Sequence, residues 1–170
     1  MKRPEQKWLW VHAASNGELQ SAKPVLDALA ARYGQTSLLI TCNSLSGRLW
    51  AEELGYHAVL SPLDLRWAQR RFMSAYPIAA HVTFEAELWP NRIAILAAAG
   101  IPIAALGARM SARGQNLWRR FPRLSAKLLN ALAYLQPQDA DSDQRFKSLG
   151  IDPRKMGPVL NWKSLYQPQT

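Results

Sequence analysis

The sequence contains a single cysteine, Cys42, among its 170 residues. One cysteine excludes an internal disulfide and any metal site built from several cysteines, which suits a reducing cytoplasm. Long apolar runs are also missing. The apolar run nearest the N-terminus covers only residues 8–11, which is too short for the core of a signal peptide or for a membrane span. We therefore expect a soluble chain.

Acidic residues are scarce, with twelve Asp and Glu against twenty-one Lys and Arg, so the formal net charge is +9. Residues 88–138 contain no acid at all. The basic residues of that stretch are Arg92, Arg109, Arg113, Arg119, Arg120, Arg123 and Lys127. A positive surface attracts phosphates of nucleic acid, of an anionic bilayer or of a phosphorylated ligand, and charge alone does not choose among them. We expect an anionic partner.

Common cofactor motifs are absent as well. There is no Gly-x-Gly-x-x-Gly and no phosphate-binding Gly-Lys-Ser/Thr loop, so the sequence does not support a nucleotide site in this chain. His12, His57 and His81 are scattered without metal-ligand spacing. We predict that the domain itself binds neither a metal nor a cofactor. We expect each histidine to be structural, and the alternative for His12, at the carboxyl end of its strand, is that it lines the ligand-facing edge of the sheet.

Hydrophobic residues make up 48% of the chain and charged residues 19%, which is enough apolar surface for one folded domain over residues 1–170. Short runs of strand-forming residues alternate with helical patterns, some of which follow loop and cap segments at residues 43–47 and 61–64 or a capping Asp139 or Asp141. The predicted strands are 8–12, 36–41, 58–60, 78–84, 101–106, 133–135 and 156–160. This alternation predicts an α/β fold with a mostly parallel sheet flanked by helices.

Polar motifs follow three of these strands, at 15–18, 41–47 and 85–91. Because ligands of such sheets bind beyond the carboxyl ends of the strands, we expect the three motifs to share one rim. Glu18 falls in the first turn of its helix, where a carboxylate is favoured and can serve as a base, or can simply complete a helix start. Glu85 and Glu87 form either an acid and base pair or two ordinary helix N-terminal acids.

Residues 116–124 interleave aromatic residues with arginines, and an apolar stripe runs through Leu117, Phe121, Leu124 and Leu128. Such a helix can lie on a bilayer with its arginines on lipid phosphates. It can equally turn the stripe toward the core and leave a solvated basic face. Nucleic acid is not the expected partner, because no recognised binding module is present.

Five motifs in order resemble the N-terminal domain of the bacterial Kdo (3-deoxy-D-manno-octulosonic acid) transferases. The motifs are Trp10-Val11-His12-Ala13-Ala14-Ser15-Asn16-Gly17-Glu18, residues 41–47, Ser61-Pro62-Leu63-Asp64, Glu85-Ala86-Glu87-Leu88-Trp89-Pro90-Asn91, and Ala108-Arg109-Met110-Ser111. The resemblance implies a Rossmann-like domain that forms the N-terminal half of an inverting two-domain GT-B glycosyltransferase. Residues 161–170 would then begin the interdomain connection or form a tail.

The resemblance also implies roles. Glu18 is the expected catalytic base that deprotonates the acceptor hydroxyl, which then attacks Kdo in CMP-Kdo. The acceptor is a lipid A precursor of lipopolysaccharide biosynthesis, and the enzyme is peripheral at the cytoplasmic face of the inner membrane. The residues expected to bind the acceptor are Ser15, Asn16, Gly17, Ser46, Gly47, Glu85, Glu87, Asn91, Arg109 and Ser111.

Several departures from the family pattern stand beside the resemblance. The usual hydrophobic N-terminal anchor and the C-terminal domain that holds CMP-Kdo lie outside this sequence. Asn16 stands where Val is usual, Gly107 replaces an Asn, and Leu160-Asn161-Trp162-Lys163 replaces Gly-Asn-Leu-Lys. The alternatives are a domain excised from a longer enzyme that is inactive alone, a non-catalytic truncated paralogue, or a basic module that binds membrane or nucleic acid.

Overall fold

A computed structural model describes residues 7–85 and 88–161, and within them six strands form one sheet. The strands are β1 (Trp8–Ala13), β2 (Leu38–Cys42), β3 (His57–Leu60), β4 (Ile78–Phe84), β5 (Ile103–Ala108) and β6 (Tyr134–Pro137). All neighbours pair in parallel, in the order β3-β2-β1-β4-β5-β6. The predicted parallel α/β sheet is confirmed.

Helices connect the strands because parallel neighbours require crossovers. The helices of the described part are α1 (Asn16–Ser21), α2 (Lys23–Tyr33), α3 (Leu45–Glu53), α4 (Arg66–Ala75), α5 (Pro90–Ala98), α6 (Ala112–Trp118), α7 (Pro122–Ala131) and α8 (Ala140–Ser148). Pro122 stands in the first turn of α7, after a break that separates this helix from α6, since a proline fits the first turn of a helix but not its interior.

Two apolar clusters hold these helices against opposite faces of the sheet. The first three helices pack on one face, where Leu19 and Leu26 meet Val11 and Ile40. On the other face Trp10 lies in a cluster with side chains from α5, α7 and α8, and Phe72 of α4 packs against that cluster. Full burial of each large apolar side chain contributes about 1.5–3 kcal/mol, so both clusters stabilise the sheet substantially.

Two sequence expectations differ from the structure. Residues 156–160 do not form a strand; an isolated bridge joins Met156 to Leu135, and the N–H groups of Gly157 and Leu160 donate to the carbonyls of Leu135 and Pro137. A 3₁₀ turn, Pro153–Lys155, precedes this segment. Asp64 does not cap α4, whose N-cap residue Leu65 makes no side-chain cap. Instead the Asp64 carboxylate caps α5, which lies nearby only because the sheet brings the two helices together.

Each crossover helix begins at the carboxyl end of the preceding strand, so the helix starts gather along one edge of the sheet. The described residues contain no helix that is both long and apolar enough to cross a membrane.

Candidate active site

Glu18 lies where the sequence predicted it, in the first turn of α1. It is half-buried. Its Oε2 accepts a hydrogen bond from the Ala14 backbone N–H at 2.8 Å, while its own N–H donates to Ser15 Oγ at 3.2 Å. This reciprocal arrangement is close to a capping box, so Glu18 does complete a helix start. The same contacts fix the direction of its carboxylate at the edge of the sheet.

The neighbours of Glu18 leave this part of the edge open. Ser15 is the exposed N-cap residue of α1, and Asn16 begins the helix with Oδ1 accepting from Gln20 Nε2 at 3.4 Å. Gly17 is exposed, and a Cβ added there would meet nothing closer than Ser15 Oγ at 4.0 Å. The structure therefore has space above Gly17 through which another molecule can approach the backbone.

The loop after β2 lies beside the loop after β1, because Asn43 N–H donates to the Ala14 carbonyl at 3.1 Å. Ser46 is exposed near the start of α3, and its hydroxyl donates to Ser44 Oγ at 3.4 Å. Gly47 is buried instead, and a Cβ there would lie 2.3 Å from Cys42 Sγ. A glycine is thus required at this position by packing against Cys42.

A buried polar cluster supports the edge from below. The Thr41 hydroxyl accepts from the Trp10 indole at 2.7 Å and lies 2.9 Å from His12 Nδ1. His81 Nδ1 donates to the Trp10 carbonyl at 3.1 Å. Burial, reinforced by the positive charge of Arg92 and by His12, holds the pKa of His81 well below its usual value, so this ring is neutral.

Glu85 directly follows β4 and lies in the left-handed region, with φ of 54°. It is the one non-glycine residue with positive φ in the part of the chain that is described. Its N–H donates to the Leu106 carbonyl at 3.0 Å, and its carbonyl accepts from Arg109 N–H at 3.3 Å. These bonds stabilise an unfavourable conformation, which is common where a side chain is positioned for function. Glu87 lies outside the described residues.

Asn91 and the start of α5 are held by Asp64, 27 residues earlier in the chain. The Asp64 carboxylate accepts from the N–H groups of Asn91 at 3.0 Å and Arg92 at 2.8 Å, and its carbonyl accepts from Asn91 Nδ2 at 2.8 Å. The sequence analysis missed this link. A signal was present, because α5 begins Trp-Pro-Asn without a side-chain cap of its own.

Arg92 was predicted to belong to the positive surface, and this prediction is wrong. The side chain is buried, its guanidinium lies 4.7 Å from the centre of the Trp10 ring, and Nη2 donates to Ser61 Oγ at 2.7 Å. Arg92 therefore joins α5 to β1 and to the loop after β3. The predicted surface residues Arg109, Arg113, Arg119, Arg120, Arg123 and Lys127 are exposed.

Arg109 and Ser111 follow β5 at the same edge. Ser111 is the N-cap residue of α6, with Oγ accepting from Gly114 N–H at 3.0 Å. Both residues line a cleft of 340 Å³ together with Leu88 and Trp118. An exposed guanidinium beside a serine hydroxyl is an arrangement suited to an anionic group.

The replacement of Asn by Gly107 has a conformational explanation. Gly107 has φ of 59°, a value that asparagine tolerates better than most other residues, so either residue fits. Its N–H donates to Gln136 Oε1 at 2.8 Å at the irregularity in the pairing of β5 with β6.

The segment with interleaved arginines does not direct its whole apolar stripe to the core. Leu128 is buried, but Leu117, Phe121 and Leu124 are 56%, 61% and 51% exposed. With Pro90 and Trp118 they line an open apolar cleft of 220 Å³. The core-facing alternative therefore holds for Leu128 alone.

Three of the motif loops thus lie side by side, in the order given by β2, β1 and β4, as predicted from strand counting. The loop after β5 extends the same rim. An all-parallel sheet of this order with polar loops at its carboxyl edge defines a Rossmann-like α/β domain, a class in which ligands generally bind at that edge.

A family model described as "3-Deoxy-D-manno-octulosonic-acid transferase (kdotransferase)" matches residues 1–165, and the chain belongs to this family. The 3-deoxy-D-manno-octulosonic acid transferase of Haemophilus influenzae is 29% identical over 94% of this chain and 38% of its own length. The Bordetella pertussis enzyme of the same name is 33% identical over 80% of this chain and 32% of its own length. The chain spans about a third of the length of these curated relatives.

Solved structures with the same architecture are UDP-GlcNAc 2-epimerases. That of Methanocaldococcus jannaschii has a TM-score of 0.61 and 14% identity, covering 90% of this chain and 45% of the other. That of Rickettsia bellii has a TM-score of 0.62 and 7% identity, covering 95% of this chain and 46% of the other. At such identities the likeness concerns the fold alone. Together with the family, it identifies the domain as the N-terminal half of a GT-B fold, as predicted.

Proposed function

We propose that residues 1–170 are the acceptor-binding, base-supplying domain of a Kdo transferase, and that residues 161–170 begin the connection to a donor-binding domain. The whole enzyme would move Kdo from CMP-Kdo to a lipid A precursor in lipopolysaccharide biosynthesis. The observation that carries this proposal is the Glu18 carboxylate, held by Ala14 N–H on the rim of a chain that belongs to this family.

In the proposed reaction Glu18 takes the proton of the acceptor hydroxyl. The hydroxyl oxygen then bonds to the anomeric carbon of Kdo, the bond from that carbon to the CMP phosphate breaks, and CMP leaves with the electron pair. Fixing the carboxylate before the acceptor arrives lowers the cost of aligning base and hydroxyl. The open space above Gly17 supports this assignment, because the acceptor must approach Glu18 closely.

Some of the other predicted residues are placed to contact the acceptor, and others hold the loops in position. Ser15, Ser46, Arg109 and Ser111 are exposed on the rim and suit direct contact with the sugar or its phosphates. Asn16 and Glu85 are half-exposed. The side chain of Asn91 is held by Asp64, and Gly47 is packed on Cys42, so both would act by shaping the loops. Glu87 stays a prediction from the motif.

We infer that the donor CMP-Kdo is held by the C-terminal domain of the full enzyme and that the present chain alone does not turn over. The membrane partner would be the anionic cytoplasmic face of the inner membrane, where a lipid acceptor resides. The exposed Leu117, Phe121 and Leu124, surrounded by exposed arginines, support that contact, because apolar side chains enter the lipid boundary while guanidinium groups bind phosphates.

Titration calorimetry on the chain with a soluble lipid A precursor and, separately, with CMP-Kdo tests the proposal. We expect the precursor to bind and CMP-Kdo to give no signal. Arg109→Gln should weaken binding of the phosphorylated precursor more than binding of its dephosphorylated form. Tight binding of CMP-Kdo without any response to the precursor would contradict the proposal.

A second candidate is a non-catalytic basic module, favoured by the exposed arginines of the acid-free stretch. Binding that depends on phosphate charge alone falls steeply as salt is raised, for oligonucleotides and for vesicles alike. A preference for an oligonucleotide over the lipid A precursor at physiological salt would favour this candidate.

A further inference from the structure

A second group of exposed apolar side chains lies at the start of α4. Leu63 and Trp67 are 68% and 65% exposed, and Leu65 between them is exposed as well. Asp64, in the same turn, points its carboxylate at the start of α5 rather than at solvent partners. Large apolar residues clustered on a surface mark a contact site more often than isolated ones do.

This group is connected to the apolar cleft at Phe121 through the start of α5. Asp64 is bonded to Asn91, and Pro90, one residue before Asn91, lines the cleft together with Leu117 and Phe121. The sheet is parallel, so the crossover helices α4 and α5 both begin at its carboxyl edge. Helix α5 packs against α4 on one side and against α7 on the other. The two groups of exposed apolar residues therefore lie on either side of the start of α5.

Most of the charges beside these two groups are positive. Arg66, Arg70 and Arg71 of α4 are exposed beside Trp67, and the arginines of α6 and α7 lie at the other end. Between residues 54 and 138 the acids are Asp64, Glu85 and Glu87. Apolar side chains interleaved with guanidinium groups match the boundary between acyl chains and anionic headgroups.

We propose that Leu63, Leu65 and Trp67 are a second membrane contact, which acts together with Leu117, Phe121 and Leu124 on an anionic bilayer. A single contact leaves the domain free to tilt, whereas two contacts on either side of the α5 start fix its orientation with the strand rim toward the headgroups. This inference rests on the proposed function, which supplies the membrane as partner.

The experiment measures binding of the full 170-residue chain to vesicles of phosphatidylcholine with 30% phosphatidylglycerol and to vesicles of phosphatidylcholine alone. The first variant is the double substitution Leu63→Ser with Trp67→Ser, and the second is Leu117→Ser with Phe121→Ser. Tyr33→Ser is the matched control, because Tyr33 is also exposed but ends α2, at the opposite end of the sheet. Circular dichroism checks that all variants remain folded.

We expect each double variant to bind the anionic vesicles roughly tenfold more weakly than the unmodified chain, since each removes two partly inserted apolar side chains. Tyr33→Ser should bind as the unmodified chain does. Brominated lipids should quench part of the tryptophan fluorescence of the unmodified chain, and Trp67→Phe should make that quenched part smaller.

Unchanged binding of the Leu63 and Trp67 variant, with loss in the Leu117 and Phe121 variant, would overturn the second contact and leave the proposed function intact. Absence of vesicle binding by the unmodified chain would overturn both membrane contacts, as would equal binding to neutral vesicles. Failure of the proposed acceptor function alone would appear as vesicle binding without any response to the lipid A precursor.

Discussion

On the side of the rim formed by β1 and β2, each loop is closed by hydrogen bonds that span a few residues. Ser15 caps Glu18, Glu18 returns to Ala14, and Ser44 caps Gly47. On the side formed by β4 and β5, Ser111 caps α6 locally, but partners far apart in sequence hold the start of α5 and the bend in β5. Asp64 caps α5 from 27 residues away, and Gln136 holds Gly107 from 29 residues away.

This difference teaches that the two sides should respond differently to substitution. Short-range caps form together with the helix that they cap, so removing one should destabilise mainly that helix. Long-range caps form only when the sheet is assembled, so their loss should loosen elements distant in sequence. The proposed base lies on the locally built side, and the exposed arginines of the proposed membrane contact lie on the other.

The largest expected effect is on the locally built side. Glu18→Gln keeps an oxygen that can accept from Ala14 N–H but removes the base, so transfer should fall by about 10²–10⁴-fold. The measurement is Kdo transfer to a lipid A precursor by a two-domain protein that joins this chain to the C-terminal domain of a relative. Glu52→Gln is the matched control, because Glu52 is an exposed carboxylate of α3 that pairs with Arg48, so little change in rate is expected. An unchanged rate in Glu18→Gln would remove Glu18 from the mechanism.

On the long-range side, Asp64→Ala should lower the free energy of unfolding by about 2 kcal/mol, because two N–H groups at the start of α5 lose their acceptor. Urea denaturation measures the loss, and hydrogen exchange should show faster exchange at Asn91 and Arg92. Asp27→Ala is the matched control, since Asp27 only forms an exposed pair with Lys23. An equal loss for both variants would mean that the α5 cap contributes no more to the free energy of unfolding than an exposed ion pair does.

Two glycines on the locally built side should differ in how an added methyl group changes stability, because Gly47 is closely packed and Gly17 faces open space. Gly47→Ala should cost about 1–3 kcal/mol, because its Cβ would overlap Cys42 Sγ. Gly17→Ala should leave stability unchanged or raise it by up to about 1 kcal/mol, since space is open there and alanine favours the helix. Both values follow from thermal unfolding. If Gly47→Ala proved as stable as Gly17→Ala, the packing of Gly47 on Cys42 would not be the reason for that glycine.

The smallest expected effect is a pH dependence. The folded state holds the pKa of His81 below its usual value of about 6.5, so its stabilising contribution is complete above that pH. As pH falls below about 6.5 the unfolded chain binds a proton that the folded chain does not, and this group lowers the unfolding free energy by up to about 1.4 kcal/mol per pH unit. Urea denaturation of His81→Gln between pH 7 and pH 5 should show a shallower decline. Parallel curves for the two proteins would contradict this account.

Much of the fold follows from local signals. The strand at Ile78–Phe84 has the predicted bounds, Ser44 and Asp139 cap the helices that they precede, and Pro122 begins a helix after a break. These features depend on a few neighbouring residues. The expectation of a strand at 156–160 was wrong, because a strand needs a continuous ladder of bridges and this segment forms an isolated bridge to β6 at Met156.

The site shows the same division. Glu18 in a helix first turn was predictable from Ser15 and the glycine beside it, whereas the partner of Asp64 was not, since nothing in its own turn indicates a helix 27 residues later. The burial of Arg92 contradicts its expected place on the positive surface. The exposure of Phe121 decides between the two orientations that the sequence left open for its apolar stripe.

The sequence by itself therefore determined the alternation of strands and helices, the caps, and the motifs that place the chain in its family, because these depend on neighbouring residues and their order. Only the tertiary structure decided which acid caps α5, which arginine is buried, and which apolar side chains remain exposed. Those outcomes depend on which elements the parallel crossovers bring together, and that proximity is a property of the assembled sheet.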